Sequence, residues 1–451
     1  MEFSERFNSL PNLAKQLIIA VLVGTVAGIG AVVFYEALAL ATEFFLNFLA
    51  GYSVPTPGVE GIHAGSASFV RPWIIPLAVA LGGLISGLVV FTWAPEAEGH
   101  GTDAAIAAIH RNPRSIRVRA VVVKIFASAV TIGSGGSGGR EGPTAQISAG
   151  FGSLLARILN LSEVDARMAV SIGVGSGIGA IFSAPLGGAI LAAEIVYRND
   201  FESEALLPGF VASAIAYLIF ASVFGFQPMF SVSGLHLFDS PLQLSYFAIL
   251  GVISGLVGVL YAKTFYFSVR FSRKLPISRK FRPALGGLMV GVMALFAPEV
   301  MGTGYGWVQK ALLSHTLEEI PLWIVVSLPL LRIIATSLSI GSGGSGGIFG
   351  PGMVIGAFVG AGAWRLFESV LPSMPHSPAG FVIIGMMACF GSISRAPIAV
   401  MIMLAEMTAN MTSLFPAALA VGIASIIVNL FDETIYEAQL HDRSERVVTA
   451  F

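Results

Sequence analysis

Two glycine-rich segments lead into the residues of this chain that could do chemistry. Gly-Ser-Gly-Gly-Ser-Gly-Gly occurs at 133–139 and again at 341–347, and continues first as Arg-Glu-Gly-Pro and then as Ile-Phe-Gly-Pro. A proline in a first helical turn after such backbone indicates a helix N-terminus, where N–H groups have no intrahelical acceptor. Such a terminus binds anions through these groups and through the helix dipole. The sequence therefore predicts two anion sites, one in each half.

Glu141 stands at the first predicted site, just ahead of a helix expected to start near Pro143. The N–H groups and dipole that would hold a halide would also hold its carboxylate, so Glu141 could compete with the anion and act as a gate. Alternatively it only offsets a helix dipole at a surface. Arg140 beside it either raises the local positive potential or pairs with Glu141. Gly142 adds backbone N–H to the predicted site.

Phe349 replaces the glutamate at the second predicted site. The backbone N–H groups of Ile348 and Phe349 remain there without a competing carboxylate, which suits a permanent anion site. Lys124, in an otherwise apolar helix, is a candidate source of positive potential along an anion path. The alternative for Lys124 is a side chain that extends its amine to the membrane surface.

Composition places these residues in a membrane. The 451 residues are 55% hydrophobic and 11% charged, with a mean hydropathy of +0.82, whereas about 25% of residues are charged in a soluble domain. The apolar run from Leu17 to Tyr35 predicts a first span that is an anchor and not a removable signal. The single Cys389 excludes an intrachain disulfide, and no metal or cofactor is expected. A net charge of -1 gives no sign of nucleic-acid binding.

Further landmarks recur in the same order. Ala94-Pro95-Glu96 returns as Ala297-Pro298-Glu299, and Ala184-Pro185 returns as Ala396-Pro397, each followed by a glutamate nine residues after the proline. These glutamates, Glu194 and Glu406, are predicted to brace helix ends through hydrogen bonds. The duplication predicts a single transmembrane domain of two homologous halves, approximately 15–235 and 240–440.

Basic residues predict how the halves lie. The stretch 111–119 carries four arginines and its repeat none, whereas 270–282 is basic and its counterpart 58–72 is not. By the positive-inside rule the halves have opposite orientations, and an ion site is expected where they meet. Apolar stretches of about 12 to 20 residues broken by Gly and Ala-Pro are short for a full span. We expect an all-α polytopic membrane protein, an inverted repeat with many tilted and partial-depth helices.

Together these motifs resemble the CLC family of chloride channels and proton-chloride antiporters. The resemblance rests on 139–143, on 347–351, on the repeated Ala-Pro pairs and on Tyr436. It implies a homodimer in the plasma (inner) membrane with cytoplasmic termini, one anion pathway per subunit and Glu141 as the external gate. It further implies a central anion held by the N–H groups of Ile348 and Phe349, the Tyr436 hydroxyl and a serine of a Gly-Ser-Gly-Ile-Pro motif. Because the chain ends soon after Tyr436, no cytoplasmic regulatory domain is expected.

The chain departs from the family at that serine motif, which here reads Gly99-His100-Gly101-Thr102-Asp103. A neutral imidazole can donate one hydrogen bond to the anion, and a protonated one adds charge. His100 is therefore a candidate anion ligand, the alternative being a loop histidine that faces the cytoplasm. Asp103 is predicted to cap the helix that begins at Ala104.

A second departure bears on mechanism. Where family antiporters carry a proton-relaying glutamate after Glu194, this chain has Ile195, and family channels have a valine. The first prediction is therefore passive chloride conduction, and proton-coupled chloride exchange is the alternative because some antiporters also lack this glutamate. Fluoride export is disfavoured because the fluoride-exporting branch of the family departs from the family pattern at this tyrosine, whereas this chain keeps it as Tyr436. The Gly-x-Ser-Gly around Ser137 matches intramembrane serine proteases, but no histidine is placed as its base. An enzyme is not expected.

Overall fold

The computed structural model describes residues 7, 9–57, 65, 68–195, 201–232, 240–394 and 396–431. Tyr436 lies outside the described residues. The described part contains seventeen α-helices. They are α1 (Asn12–Thr42), α2 (Ile74–Trp93), α3 (Thr102–Arg111), α4 (Val118–Gly133), α5 (Glu141–Ile158), α6 (Glu163–Ile181), α7 (Pro185–Glu194), α8 (Ser203–Phe224), α9 (Pro241–Lys274), α10 (Arg282–Ala294), α11 (Tyr305–Ala311), α12 (Ser314–Glu318), α13 (Leu322–Ser339), α14 (Phe349–Phe367), α15 (Ala379–Ser394), α16 (Pro397–Met407) and α17 (Leu414–Leu430).

Seven helical segments are long and apolar enough to cross a membrane, and they are Asn12–Ala50, Ile74–Trp93, Glu163–Ile181, Ser203–Phe224, Pro241–Lys274, Leu322–Ser339 and Met411–Leu430. Their outer faces present large apolar side chains, among them Ile29, Leu40, Leu77, Leu218, Ile249 and Phe415. Three further apolar helices, α10, α15 and α16, have at most 16 residues, fewer than the roughly 20 that a full span needs. The helices thus confirm the predicted all-α polytopic membrane fold.

The order of helices repeats along the chain. α2 is followed by a 3₁₀ turn at Pro95–Ala97, and α10 by one at Pro298–Val300. Equivalent helices then follow in each half, and they pack in equivalent pairs. The α5–α6 pair of the first half corresponds to the α14–α15 pair of the second. The α1–α8 pair likewise corresponds to the α9–α17 pair. The inner pairs are the most deeply buried. This order matches the duplication of the sequence, while the opposite orientation of the halves stays a prediction.

The glycine-rich segments are buried and are paired across the two halves. Gly139 and Gly347 exchange N–H···O bonds of 2.7 and 2.6 Å in an antiparallel bridge. Gly99 N–H donates to Gly344 O at 3.1 Å, and Gly138 N–H donates likewise to Gly302 O at 3.3 Å. Irregular backbone at membrane depth is tolerated where protein satisfies its polar groups, and here each half satisfies the other. These segments are therefore not flexible linkers.

Two glutamates join the halves a second time. Glu194, at the end of α7, accepts the N–H groups of Ile398 and Ala399 in the first turn of α16, at 3.2 and 2.7 Å. Glu406 accepts those of Leu186 and Gly187 in the first turn of α7, at 3.0 and 2.7 Å. Each carboxylate satisfies helix N-terminal donors that lack intrahelical acceptors. The prediction that both glutamates brace helix ends is confirmed.

Candidate functional site

The helices α5 and α14 begin beside each other, directly after the bridge between Gly139 and Gly347. Their first helical residues are Glu141 and Phe349, so the sequence-based start near Pro143 was placed two residues too late. Proline fits within a first turn because its missing N–H would have had no intrahelical acceptor there. Two helix N-termini, one from each half, are thus brought together.

Glu141 is fully buried between these two helix starts. Its Oε1 accepts the hydroxyl of Tyr305, and its Oε2 accepts the N–H of Gly350 in the first turn of α14, at 3.1 Å. We expected donors from the carboxylate's own helix, and the structure adds donors from the other half. A carboxyl oxygen therefore already occupies an N-terminal donor position of α14, the kind of position at which anions bind in proteins.

Tyr305 is the residue of this site that the sequence reasoning missed. It is the first residue of α11, and Gly304-Tyr305 is the repeat of Gly101-Thr102. Gly101 and Gly304 have φ angles of +92° and +84°, a region that favours glycine, so both helices start from the same turn. The repeated Gly-x-Gly turn is the sequence signal that could have identified Tyr305. In each half, the residue that follows the second glycine of this turn, Thr102 or Tyr305, is the first residue of a helix.

The Arg140 side chain packs against the ring of Tyr305 and lines a cavity. Its guanidinium lies 5.0 Å from the ring centre of Tyr35 and 5.3 Å from that of Tyr305, distances typical of cation–π contacts. Arg140 also lines a cavity of about 780 Å³ that reaches Glu43 and Thr303. Its charge thus lies between an open cavity and the tyrosine whose hydroxyl contacts Glu141.

Ile348 and Phe349 provide the start of α14 as its N-cap residue and first helical residue. Both are buried, and the N–H groups of these positions have no acceptor within the helix. The hydroxyl of Tyr261 donates to Ile348 O at 3.0 Å, and the ring of Phe349 lies 4.0 Å from that of Phe390. Aromatic packing and the tyrosine therefore fix the two backbone donors that the sequence singled out.

Lys124 is buried and does not reach a membrane surface. Its Nζ donates to Ala97 O at 3.2 Å and to Gly99 O at 2.7 Å. Arg332, its repeat mate, is held in the same way and donates to the carbonyls of Glu299, Met301 and Gly302. Each cation fixes the loop that precedes α3 or α11, and each adds buried positive charge close to the two helix starts.

His100 is buried as well, so it is not a histidine that faces the cytoplasm. Its Nδ1 lies 3.3 Å from Oδ1 of Asp103, and that oxygen accepts the Gly101 N–H at 3.2 Å. Asp103 is therefore not the N-cap of α3. It lies within the first turn and satisfies the N–H of the N-cap residue Gly101, in the manner of the returning carboxylate of a capping box.

Gly142 and Ser137 have packing roles at the contact between the halves. A methyl group on Gly142 would lie 2.2 Å from His100 O and 3.0 Å from the Cα of Gly347, so only glycine permits this approach. The Ser137 hydroxyl lies 2.9 Å from that of Thr336, and its partner is not an imidazole. Within the described residues, no three His, Cys, Asp or Glu side chains are grouped as a metal site requires.

Comparisons with known proteins agree on one family. A family model described as voltage gated chloride channel matches residues 82–429. A putative chloride channel protein, ClcB-like, of Ralstonia nicotianae is 29% identical over 85% of this chain and 89% of that protein. The H(+)/Cl(-) exchange transporter ClcA of Vibrio campbellii is 29% identical over 96% of this chain and 90% of that protein.

A solved structure agrees at the level of the fold. A slow cyanobacterial Cl-/H+ antiporter is similar with a TM-score of 0.83 at 23% identity, over 95% of this chain and 97% of that chain. The predicted fold is confirmed by this likeness.

Proposed function

We propose that this chain, which belongs to the voltage gated chloride channel family, conducts chloride passively across a membrane along a path that Glu141 gates. The observation that carries the proposal is the Glu141 carboxylate at the N-terminus of α14, where it accepts the Gly350 N–H. A charged side chain at a site suited to a free anion must leave before the anion can bind. Protonation, or competition by chloride, releases it.

The residues around the gate define the rest of the proposed path. Arg140 draws chloride from the 780 Å³ cavity toward Tyr305 and the gate. Once Glu141 has moved, chloride takes the position of its carboxylate and then the N–H groups of Ile348 and Phe349. Lys124 contributes positive potential without contacting the ion, since its amine is held by backbone carbonyls.

Ile195 favours conduction over exchange. It is buried at the C-terminal end of α7 and carries no proton-accepting group, while the neighbouring Glu194 is committed to the N–H groups of α16. Proton-coupled exchange is the second candidate, because the relatives of this chain are named both as channels and as exchange transporters. The protein is a transporter of ions in either case, and we propose no enzymatic activity.

We also propose how the protein lies in the membrane and how two copies assemble. The apolar helices face the lipid of a plasma (inner) membrane, with both termini cytoplasmic and the two halves oppositely oriented. Two copies form a homodimer with one path in each. Tyr436 contributes a hydroxyl to the central anion, as the family resemblance implies.

Replacement of the gate tests the proposal. In Glu141→Gln the side chain is uncharged at every pH, so chloride efflux from proteoliposomes should no longer rise on external acidification, and it should be no smaller than in the wild type. Glu163→Gln is the matched control, because Glu163 is exposed and forms a surface ion pair with Arg167. If Glu141→Gln stops efflux while the protein stays folded, Glu141 is not a gate.

A further inference from the structure

The cavity that Arg140 lines is much larger than the ion proposed to pass through it. Its volume is about 780 Å³, whereas one water molecule takes up about 30 Å³ in the liquid. On size alone, sulfate or inorganic phosphate would enter this space as readily as chloride. Discrimination between anions at this point of the path must therefore come from charge.

Two charged side chains of opposite sign line the cavity. Among the lining residues that the structure describes, Arg140 is the basic one, Glu43 is the acidic one, and the others are uncharged. Arg140 is only 3% exposed and precedes Glu141 directly, whereas Glu43 is exposed. The carboxylate therefore lies at the solvent end of the cavity and the guanidinium at its buried end.

Glu43 is held in the wall of the cavity by its own helical segment. α1 continues into a π-helix, Glu43–Ala50, and Glu43, Leu46 and Asn47 of this segment line the cavity. Asn47 Nδ2 donates a hydrogen bond to Glu43 Oε2, and the Tyr52 N–H donates to Leu46 O at 2.9 Å. π-Helical turns are uncommon and occur frequently at functional sites. The carboxylate is thus oriented by a neighbour on the same wall.

A negative charge in this position acts more strongly on polyvalent anions than on chloride. The electrostatic free energy of an ion is its charge multiplied by the local potential, so a divalent anion experiences twice the effect. In water, a unit charge about 10 Å away changes the occupancy of a monovalent anion about twofold and that of a divalent anion about fourfold. Arg140 alone would favour sulfate over chloride, and Glu43 offsets this preference.

We propose that Glu43 is a specificity-determining residue that keeps polyvalent inorganic anions out of the cavity beside Arg140. The inference rests on the proposed chloride path and adds how the path stays open when divalent anions are present. Glu43 lowers the occupancy of the cavity by chloride, and it lowers that by sulfate by the square of the same factor. Without Glu43, sulfate would accumulate beside Arg140 and obstruct the entry of chloride.

Inhibition of chloride current by sulfate tests this with the purified protein in planar bilayers. Currents are recorded with increasing sulfate at both faces, at an ionic strength near 0.01 M, where the Debye length is about 30 Å. In Glu43→Gln, which keeps an oxygen for Asn47, the inhibition constant of sulfate should fall about fourfold, and the chloride concentration for half-maximal current should fall about twofold. Both differences should vanish near 1 M ionic strength, where the Debye length is about 3 Å.

Glu36→Gln is the matched control, because Glu36 is exposed on α1 and is not among the described residues that line the cavity. It should behave as the wild type.

A second variant returns the charge to the same wall. Adding Asn47→Asp to Glu43→Gln should restore the inhibition constant of the wild type. Asn47→Asp alone adds a second negative charge and should raise that constant, which tests the proposal even if Glu43→Gln does not fold. An unchanged inhibition constant in Glu43→Gln or in Asn47→Asp, or a change that persists at 1 M ionic strength, would overturn the proposal. Absence of chloride current in the wild type would instead overturn the proposed function.

Discussion

The two oxygens of Glu141 illustrate how single residues hold the proposed gate. One oxygen accepts a tyrosine hydroxyl and the other a helix N–H, and both donors come from the second half of the chain. Hydrogen bonds to a charged group contribute about 1.5–3 kcal/mol each, so under the proposed gating these two donors contribute to how readily chloride displaces the carboxylate. Tyr305 can be altered without removing the gate itself.

Tyr305→Phe removes only the hydroxyl and keeps the ring beside Arg140. Because the carboxylate then loses one donor, chloride should displace it more easily, by about tenfold for each 1.4 kcal/mol lost. Chloride efflux at alkaline external pH should therefore increase. The effect should vanish when Glu141→Gln is added, since no carboxylate remains to be held.

Tyr246→Phe is the matched control for that variant, because the Tyr246 hydroxyl donates to Pro372 O at an exposed position far along the chain from the gate. Chloride efflux through the Tyr246→Phe variant should equal that of the wild type at each external pH. An unchanged efflux profile in Tyr305→Phe would show that the hydroxyl does not hold the gate closed.

At the scale of elements, short helices depend on side chains from the opposite half. α7 and α16 have 10 and 11 residues and begin inside the protein, where their first N–H groups need acceptors. Glu406 and Glu194 supply these acceptors reciprocally. Both glutamates thus have a structural role.

Glu194→Ala should lower the free energy of unfolding by about 1–3 kcal/mol, because it leaves the buried N–H of Ala399 without its acceptor. Glu194→Gln should lower the free energy of unfolding by less, because the amide oxygen of the glutamine still accepts one N–H. Denaturant titration in detergent micelles measures both. Glu163→Ala, which breaks an exposed ion pair, should cost no more than about 1 kcal/mol. Equal losses for Glu194→Ala and Glu163→Ala would contradict the bracing role.

At the scale of the whole molecule, the duplication could be predicted from the sequence, but the contacts between the two halves could not. Repeated Gly-Ser segments and Ala-Pro pairs predict two related halves, since local composition reveals helix starts and membrane spans. The partners of Glu141, in contrast, lie 164 and 209 residues away. Only packing of one half on the other brings Tyr305 and Gly350 to the carboxylate. Asp103 was misassigned for a local reason, because the turn at Gly101 starts the helix earlier than Ala104.

The reversal potential of the purified protein in planar bilayers tests the central claim of passive chloride conduction most directly. With a fixed chloride gradient, the potential is measured before and after a pH gradient is imposed. Because Ile195 offers no proton acceptor and Glu194 is bound to α16, the potential should stay at the chloride equilibrium value in both conditions. A shift toward the value for coupled exchange when the pH gradient is imposed would contradict passive conduction and identify the protein as a proton-chloride exchanger.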